Sequence, residues 1–135
     1  FSDRHNDLAI QVLDAVEHLF GTEGLNKIAE EREAKTLAHY QSAIKGCTSS
    51  VEKLHMIAQL REQEGYMVEI EDHPQGYLLI ENHCPICKAA TRCDKLCQSE
   101  LNIFSKLLAN DFFVERKEHI VTGQRRCTYL ISHKK

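Results

Sequence analysis

The sequence predicts an α+β fold in which helices come first and a small antiparallel sheet follows. Up to Gly65, apolar residues recur at three- and four-residue steps, which is the period of an amphipathic helix. From Tyr66 onward the period changes to two, as in strands that bury one face. We expect the strand region to be interrupted by a loop and a helix that carry most of the cysteines.

The first predicted helix has one apolar stripe and ends at Gly21 and Gly24. We expect Ser2 or Asp3 to cap its start. Two interpretations of the stripe stay open. It packs on the second helix, or it joins two copies of the chain in a homodimer. The stripe consists of Leu8, Val12, Ala15, Val16 and Leu19.

Two further helices complete the helical segment. The second is predicted from about Leu25 to Ile44 and is rich in Glu, Lys and Ala. Ser49 or Ser50 is expected to cap the third helix, because serine side chains accept hydrogen bonds from the first free amides. Gly65 lies where a glycine commonly ends a helix.

Two β-hairpins are predicted after the helices. The first pairs residues 66–71 with residues 77–81 across a turn that contains Pro and Gly. The second pairs residues 112–120 with residues 126–132 and turns at Gly123. Alternation along the last strand predicts that Cys127 shares a face with Tyr129 and Ile131.

A cysteine-bearing loop and a helix lie between the hairpins. The helix is predicted from about Gln98 to Ala109, with Cys97 opening it. Thiolates only a few residues apart can hold one soft metal ion at little cost in backbone entropy. Zinc and iron–sulfur clusters both accept four such ligands, so the spacing leaves both open. The clustered thiols are Cys84, Cys87, Cys93, Cys97 and Cys127.

Several other side chains are candidates for metal ligands or for a nucleic-acid surface, with less support from the sequence. His83 and His119 are each as readily surface histidines as ligands. Cys47 is remote in sequence and is expected to be a small buried hydrophobe rather than a ligand. The basic stretch Arg125-Arg126, with Arg116 and Lys117 opposite it across the hairpin, is expected to form a solvated face rather than a nucleic-acid patch.

Composition and pattern exclude several classes of protein. The net charge of −3 provides no overall basic surface for nucleic acid. The chain has neither a run of about eighteen apolar residues nor a signal-peptide pattern, so we expect a cytoplasmic protein without membrane contact. The cysteines crowd together, and no single isolated one shows a recognisable nucleophile arrangement with a histidine and an acid; no glycine-rich phosphate loop occurs either. We therefore expect neither enzymatic activity nor a small-molecule substrate.

The chain from Leu60 to Ile131 resembles the C-terminal half of SufR-type winged-helix transcriptional repressors. The specific part of the resemblance is the Cys-Pro-Ile run at Cys84, the cysteine thirteen residues later at Cys97, and Cys127 on the last strand. The other matching residues are Leu60-Arg61, Glu64-Gly65-Tyr66-Met67, Glu81-Asn82-His83, Glu100-Leu101, Phe104, Glu115-Arg116, His119-Ile120, Gly123, Tyr129 and Ile131.

The resemblance implies a dimeric repressor of cluster-assembly genes whose C-terminal part binds an iron–sulfur cluster of the four-iron type. Its cluster ligands correspond to Cys84, Cys97 and Cys127. DNA would be bound by a winged helix that precedes Phe1 and is absent from this chain. Cys87 and Cys93 depart from the SufR pattern as extra thiols, which either complete the site or shift its preference toward zinc.

We therefore expect residues 1–48 to be a helical dimerisation arm and residues 49–135 to be the α+β sensor domain of a bacterial DNA-binding regulator. The expected cofactor is a [4Fe–4S] cluster or zinc. Two alternatives stay open. One is a structural zinc module that mediates protein contacts, and the other is a thiol redox sensor that forms a reversible disulfide at Cys87 or Cys93.

Overall fold

A computed structural model describes residues 2–86, 90, 94–119, 123–124 and 126–134. The helices-first α+β architecture predicted from the change in apolar period is confirmed. Among the described residues, no helix combines the length and apolar character needed to cross a membrane. The elements are α1 (Ser2–Ile44), α2 (Ser50–Gln63), β1 (Val68–His73), β2 (Gly76–Glu81), α3 (Asp94–Leu107), β3 (Phe112–Glu118) and β4 (Cys127–His133).

Helix α1 consists of two helical segments that meet at Gly21. The backbone at Gly21 has φ 73° and ψ −175°, which is not helical and which a residue without a side chain adopts at low cost. The predicted end of the first helix at Gly21 is confirmed, whereas Gly24 lies inside the second segment. That segment ends at Ile44, as predicted.

Local signals set both ends of α2. The Ser49 hydroxyl accepts a hydrogen bond from the Glu52 amide at 3.2 Å. The Glu52 carboxylate in turn accepts from the Thr48 amide at 2.8 Å, which satisfies an amide just before the helix. At the other end Gly65 has φ 96°, the left-handed conformation of a helix C-terminus. The predicted cap and the predicted end are both confirmed.

The four strands form one antiparallel sheet in the order β1-β2-β4-β3, and both predicted hairpins are present. Glu81 of β2 lies directly opposite Cys127 of β4, and Arg116 of β3 lies directly opposite Tyr129. Directly paired residues share a face, and residues two apart along a strand share it too. Glu81, Cys127, Tyr129 and Arg116 therefore all lie on one face of the sheet.

The helices cover this face and form the main core. The Phe104 ring of α3 packs edge-on against Tyr129, with ring centroids 4.9 Å apart. Cys127 is buried in this core, which confirms its predicted inward direction. The main core comprises Tyr40, Ile44, Leu54, Ile57, Leu79, Ile103, Phe104, Leu107, Leu108, Phe112, Cys127, Tyr129 and Ile131.

A second, smaller core joins α1 to the start of α3. Cys97 and Leu96 are buried there, which explains why α3 begins at Asp94 rather than near Gln98. Packing against α1 extends the apolar face of α3 toward its N-terminus, so Cys97 lies within the first turn and does not open the helix. The second core comprises Leu13, Leu25, Ala29, Ala90, Leu96 and Cys97.

Candidate metal centre

Three of the five predicted thiol ligands lie in the described part of the chain. Cys84 follows β2, Cys97 lies in the first turn of α3, and Cys127 begins β4. Cys87 and Cys93 lie outside the described residues. Within the described ranges, no group of three or more His, Cys, Asp and Glu side chains lies close enough to hold a metal ion.

Backbone hydrogen bonds set the position of Cys84. The Asn82 amide donates to the Met67 carbonyl at 3.1 Å, and the His83 amide donates to the Tyr66 carbonyl at 3.2 Å. These bonds continue the pairing of the first hairpin beyond β2 and hold the chain that enters Cys84 beside Tyr66. Burial raises the pKa of Tyr66, and Cys84 is among the neighbouring groups that raise it further.

Arg116 connects the elements that carry Cys97 and Cys127. Its Nη2 atom donates to the Cys97 carbonyl at 2.6 Å and to the Tyr129 hydroxyl at 3.4 Å. Burial by itself lowers the pKa of Arg116, but Tyr129, Cys97 and Cys127 raise it. The guanidinium therefore contacts the backbone of Cys97 and lies within electrostatic reach of both cysteines. The expectation that Arg116 lies on a solvated face is wrong, because this position of β3 faces the core.

A second arginine, Arg61 of α2, is fully buried among carboxylates. Its Nε and Nη2 atoms donate to the two carboxylate oxygens of Glu81 at 2.6 and 3.1 Å. Its Nη1 atom donates to Glu100 at 2.7 Å. The guanidinium carbon also lies 3.5 Å from the centre of the Tyr66 ring, whose hydroxyl donates to Glu100 at 3.2 Å.

This network joins the elements that carry the thiols. Glu81 lies opposite Cys127, and Glu100 lies one helical turn after Cys97. Burial raises the pKa of Glu81, although the neighbouring Arg61 opposes that effect. Burial lowers the pKa of Arg61, but its two carboxylate partners raise it well above the ordinary value. The cation therefore stays charged and holds β2 and α3 together.

Sequence reasoning did not identify this network, although a signal was present. Arg61 falls on the same face of α2 as Leu54 and Ile57, at the four-residue step that continues the buried stripe. Glu81 likewise continues the alternation of β2, two residues after buried Leu79. A charged residue at an inward position needs a partner, because an unpaired buried charge is very unfavourable.

The remaining candidates lie at the margin of this region. His83 is exposed. The backbone amide of His119 donates to the Gln124 side chain at 2.7 Å, which helps to form the second turn. Cys47 packs against the main core but is only partly buried, so it is less buried than predicted.

In comparisons with known proteins, no protein-family model and no curated protein matches the chain. The resemblance to SufR-type regulators therefore depends on the residues quoted from the sequence. In the fold, Cys84 lies in the loop after β2, Cys97 in the first turn of α3, and Cys127 at the start of β4. Thiolates are ligands that soft metals prefer, so cysteines are the residues on which a metal site would depend.

Proposed function

We propose that the chain is a sensor domain that binds zinc or an iron–sulfur cluster through cysteine thiolates. More specifically, it is the metal-sensing and dimerisation domain of a cytoplasmic, DNA-binding transcriptional regulator of the SufR type. One observation carries this proposal. Cys84, Cys97 and Cys127 come from a loop, a helix and a strand, and hydrogen bonds of Arg116 and the Arg61 network hold these elements together.

The donor set fits a soft metal. Both candidate cofactors take four ligands, and thiolate is the preferred ligand for each. Cys84, Cys97 and Cys127 would supply three, and the loop between Cys84 and Cys97 contains Cys87 and Cys93 as candidates for the fourth. A bound iron–sulfur cluster supplies iron–thiolate bonds that respond to oxygen and to redox state.

The packing of Cys97 provides a route from the thiols to the helical arm. Cys97 shares the second core with Leu25 and Ala29 of α1. The Nη1 atom of Arg32 in α1 lies 3.7 Å from the Oε1 atom of Glu100 in α3. A ligand that favours one position of the first turn of α3 would therefore also favour one position of α1, which is a shift in population between two conformations.

The first segment of α1 supports a homodimer. Leu8, Val12 and Leu19 are 61%, 50% and 67% exposed, so the alternative in which the stripe packs on the second helix is wrong for these three. Val16 does pack against the second core. Leu8, Val12, Ala15 and Leu19 follow one another at steps of four, three and four, the spacing of a two-stranded coiled coil.

Metal and sulfide analysis of anaerobically purified protein tests the proposed cofactor. A brown protein containing iron and sulfide is expected, and Cys84→Ser, Cys97→Ser or Cys127→Ser should each abolish or strongly reduce the bound metal. Cys47→Ser is the matched control, because Cys47 lies in the turn between α1 and α2, outside the three elements that carry the proposed ligands, and should leave the metal content unchanged.

The outcomes separate the competing functions. One tightly bound zinc in an anaerobic, colourless protein that unfolds on its removal favours the structural zinc module. No bound metal, together with a reversible disulfide, favours the redox sensor. Unchanged metal content in all three variants of the proposed ligands contradicts the proposal outright.

The oligomeric state tests the dimerisation arm. Leu8→Glu with Val12→Glu should convert a dimer to a monomer in sedimentation velocity, because charge at the seam of a coiled coil opposes association. Phe113→Glu is a matched control, since Phe113 on β3 is as exposed as Leu8 at 61%. A monomeric parent chain, or dissociation caused by Phe113→Glu alone, would contradict this interface.

A further inference from the structure

One nitrogen of the Arg116 guanidinium has no acceptor. The Nε atom is buried and forms no hydrogen bond within the described part of the chain. The same side chain is anchored by its Nη2 atom on the Cys97 carbonyl at 2.6 Å. Buried donors are nearly always paired, so an orphaned one at a ligand site points to an acceptor that binds there.

Among the described residues, Arg116 also has no carboxylate that pairs with it directly. Arg61 pairs with two carboxylates, and Arg126 pairs with Glu118 at 2.9 Å. Over the described residues Arg116 forms no ion pair, and its named oxygen partners, the Cys97 carbonyl and the Tyr129 hydroxyl, are neutral. Glu81 lies within electrostatic reach, but both of its oxygens already accept hydrogen bonds from Arg61.

We propose that Arg116 is the positioning residue of the thiolate site, and that its buried Nε–H donates to a sulfur atom at Cys97 or Cys127 when the site is filled. This inference rests on the proposed function. Four thiolates around one metal centre carry a net negative charge, and burying that charge requires a nearby cation. Partners of metal ligands of this kind typically contribute about 10- to 100-fold to affinity.

Arginine suits this role better than lysine. The guanidinium is planar and has several donors at fixed angles, so Nη2 can hold the start of α3 while Nε points to a sulfur. A lysine at position 116 would keep the positive charge but would lose the planar set of donors at fixed angles. The two variants therefore separate charge from hydrogen-bond geometry.

Cobalt(II) binding to the metal-free chain tests the inference. Cobalt occupies thiolate sites made for zinc or iron and reports sulfur ligation through near-ultraviolet charge-transfer bands. Arg116→Gln should weaken the apparent affinity for cobalt by about 10- to 100-fold, the range found for residues that support metal ligands. Arg116→Lys should recover part of that loss and shift the charge-transfer bands, because the charge returns without the Nε–H donor.

Arg126→Gln is the matched control. It removes one positive charge directly beside Cys127 in the chain, but Arg126 already pairs with Glu118. We expect less than about a threefold change in affinity for this exposed pair, since surface pairs contribute little. Circular dichroism and thermal unfolding of each metal-free variant determine whether a loss of affinity reflects a loss of fold. If Arg116→Gln does not fold, Arg116→Lys decides the question.

The outcomes of the cobalt titrations separate the role of Arg116 from the proposed function. A parent chain that binds cobalt with thiolate bands, together with unchanged affinity and unchanged bands in both Arg116 variants, overturns the role of Arg116 and leaves the proposed function intact. Equal weakening by Arg126→Gln also overturns it, because the effect is then general electrostatics. A parent chain that binds no cobalt through sulfur contradicts the proposed function, and the inference falls with it.

Discussion

Two arginines of this protein lie at inward positions of the same core, yet their surroundings differ. Arg61 has two carboxylates and two aromatic rings around it, and its charge is compensated. Arg116 has a carbonyl and a hydroxyl as acceptors, and its buried Nε–H donor has no acceptor among the described residues. A buried charge with carboxylate partners stabilises the fold, whereas the role that we propose for Arg116 is to bind a ligand beside the cysteines.

Removing Arg61 should cause the largest loss of stability. Arg61→Met leaves Glu81 and Glu100 buried without their cation, and breaking a buried ion pair on one side typically costs about 3–5 kcal/mol. Urea unfolding of the metal-free chain measures this. Arg126→Met, which breaks a partly exposed ion pair, should cost less than about 1 kcal/mol. Equal costs for the two variants would contradict the distinction between a structural and a surface arginine.

The hydroxyls of Tyr66 and Tyr129 test the same difference between the two arginines through smaller losses of stability. Tyr66→Phe removes a donor to the Glu100 carboxylate and should cost about 1.5 kcal/mol, as hydrogen bonds to charged groups do. Tyr129→Phe removes a long, 3.4 Å hydrogen bond from Arg116 and should cost about 0.5 kcal/mol. Chemical denaturation of both variants measures which one loses more free energy of unfolding. A larger cost at Tyr129 would mean that Arg116 depends on its neutral partners for stability.

The ion pair between Glu33 of α1 and Lys106 of α3 should give an effect as small as that of the Tyr129 hydroxyl, and one that depends on pH. Burial alone would raise the pKa of Glu33, but hydrogen bonds from Asn102, Ser99 and Lys106 lower it below 4.5. A carboxyl whose pKa is lower in the folded chain stabilises it above the unfolded pKa, and loses that contribution as pH falls through the folded pKa.

Glu33→Gln should therefore lower the free energy of unfolding by about 0.5 kcal/mol at neutral pH, as expected of a largely surface pair. The difference from the parent chain should vanish as the solution is acidified below pH 4.5 and through the lowered pKa. Glu31→Gln, on the exposed side of the same helix, serves as the control and should have no measurable effect. A difference for Glu33→Gln that grows on acidification would contradict the assigned direction.

Sequence reasoning succeeded where the signal is local. Gly21 and Gly65 mark helix ends because the backbone there has positive φ, and Ser49 caps a helix because its hydroxyl reaches an amide three residues later. Both hairpins follow from the two-residue period and their turn residues. The beginning of α3 was misplaced because packing of Leu96 against α1 extends that helix, and no local signal reports such packing.

The cysteines also show the difference between what the local sequence reports and what tertiary packing decides. Their number and spacing are visible in the chain, and they indicate soft-metal chemistry by themselves. The environment of those thiols is not visible there. Arg116 reads as a surface residue in the sequence because it follows a glutamate and precedes a lysine. Only the pairing of β3 with β4 turns it toward Tyr129 and the cysteines.

The sequence by itself determined the order of helices and strands, the helix break at Gly21 and both ends of α2, because each depends on neighbouring residues. Tertiary structure alone decided which buried charges are compensated. Arg61 meets its carboxylates across 20 and 39 positions of the chain, and Arg116 reaches Cys97 across 19. Charge compensation depends on distance in space, which a linear pattern does not report, so folding distinguishes the structural arginine from the one that faces the thiols.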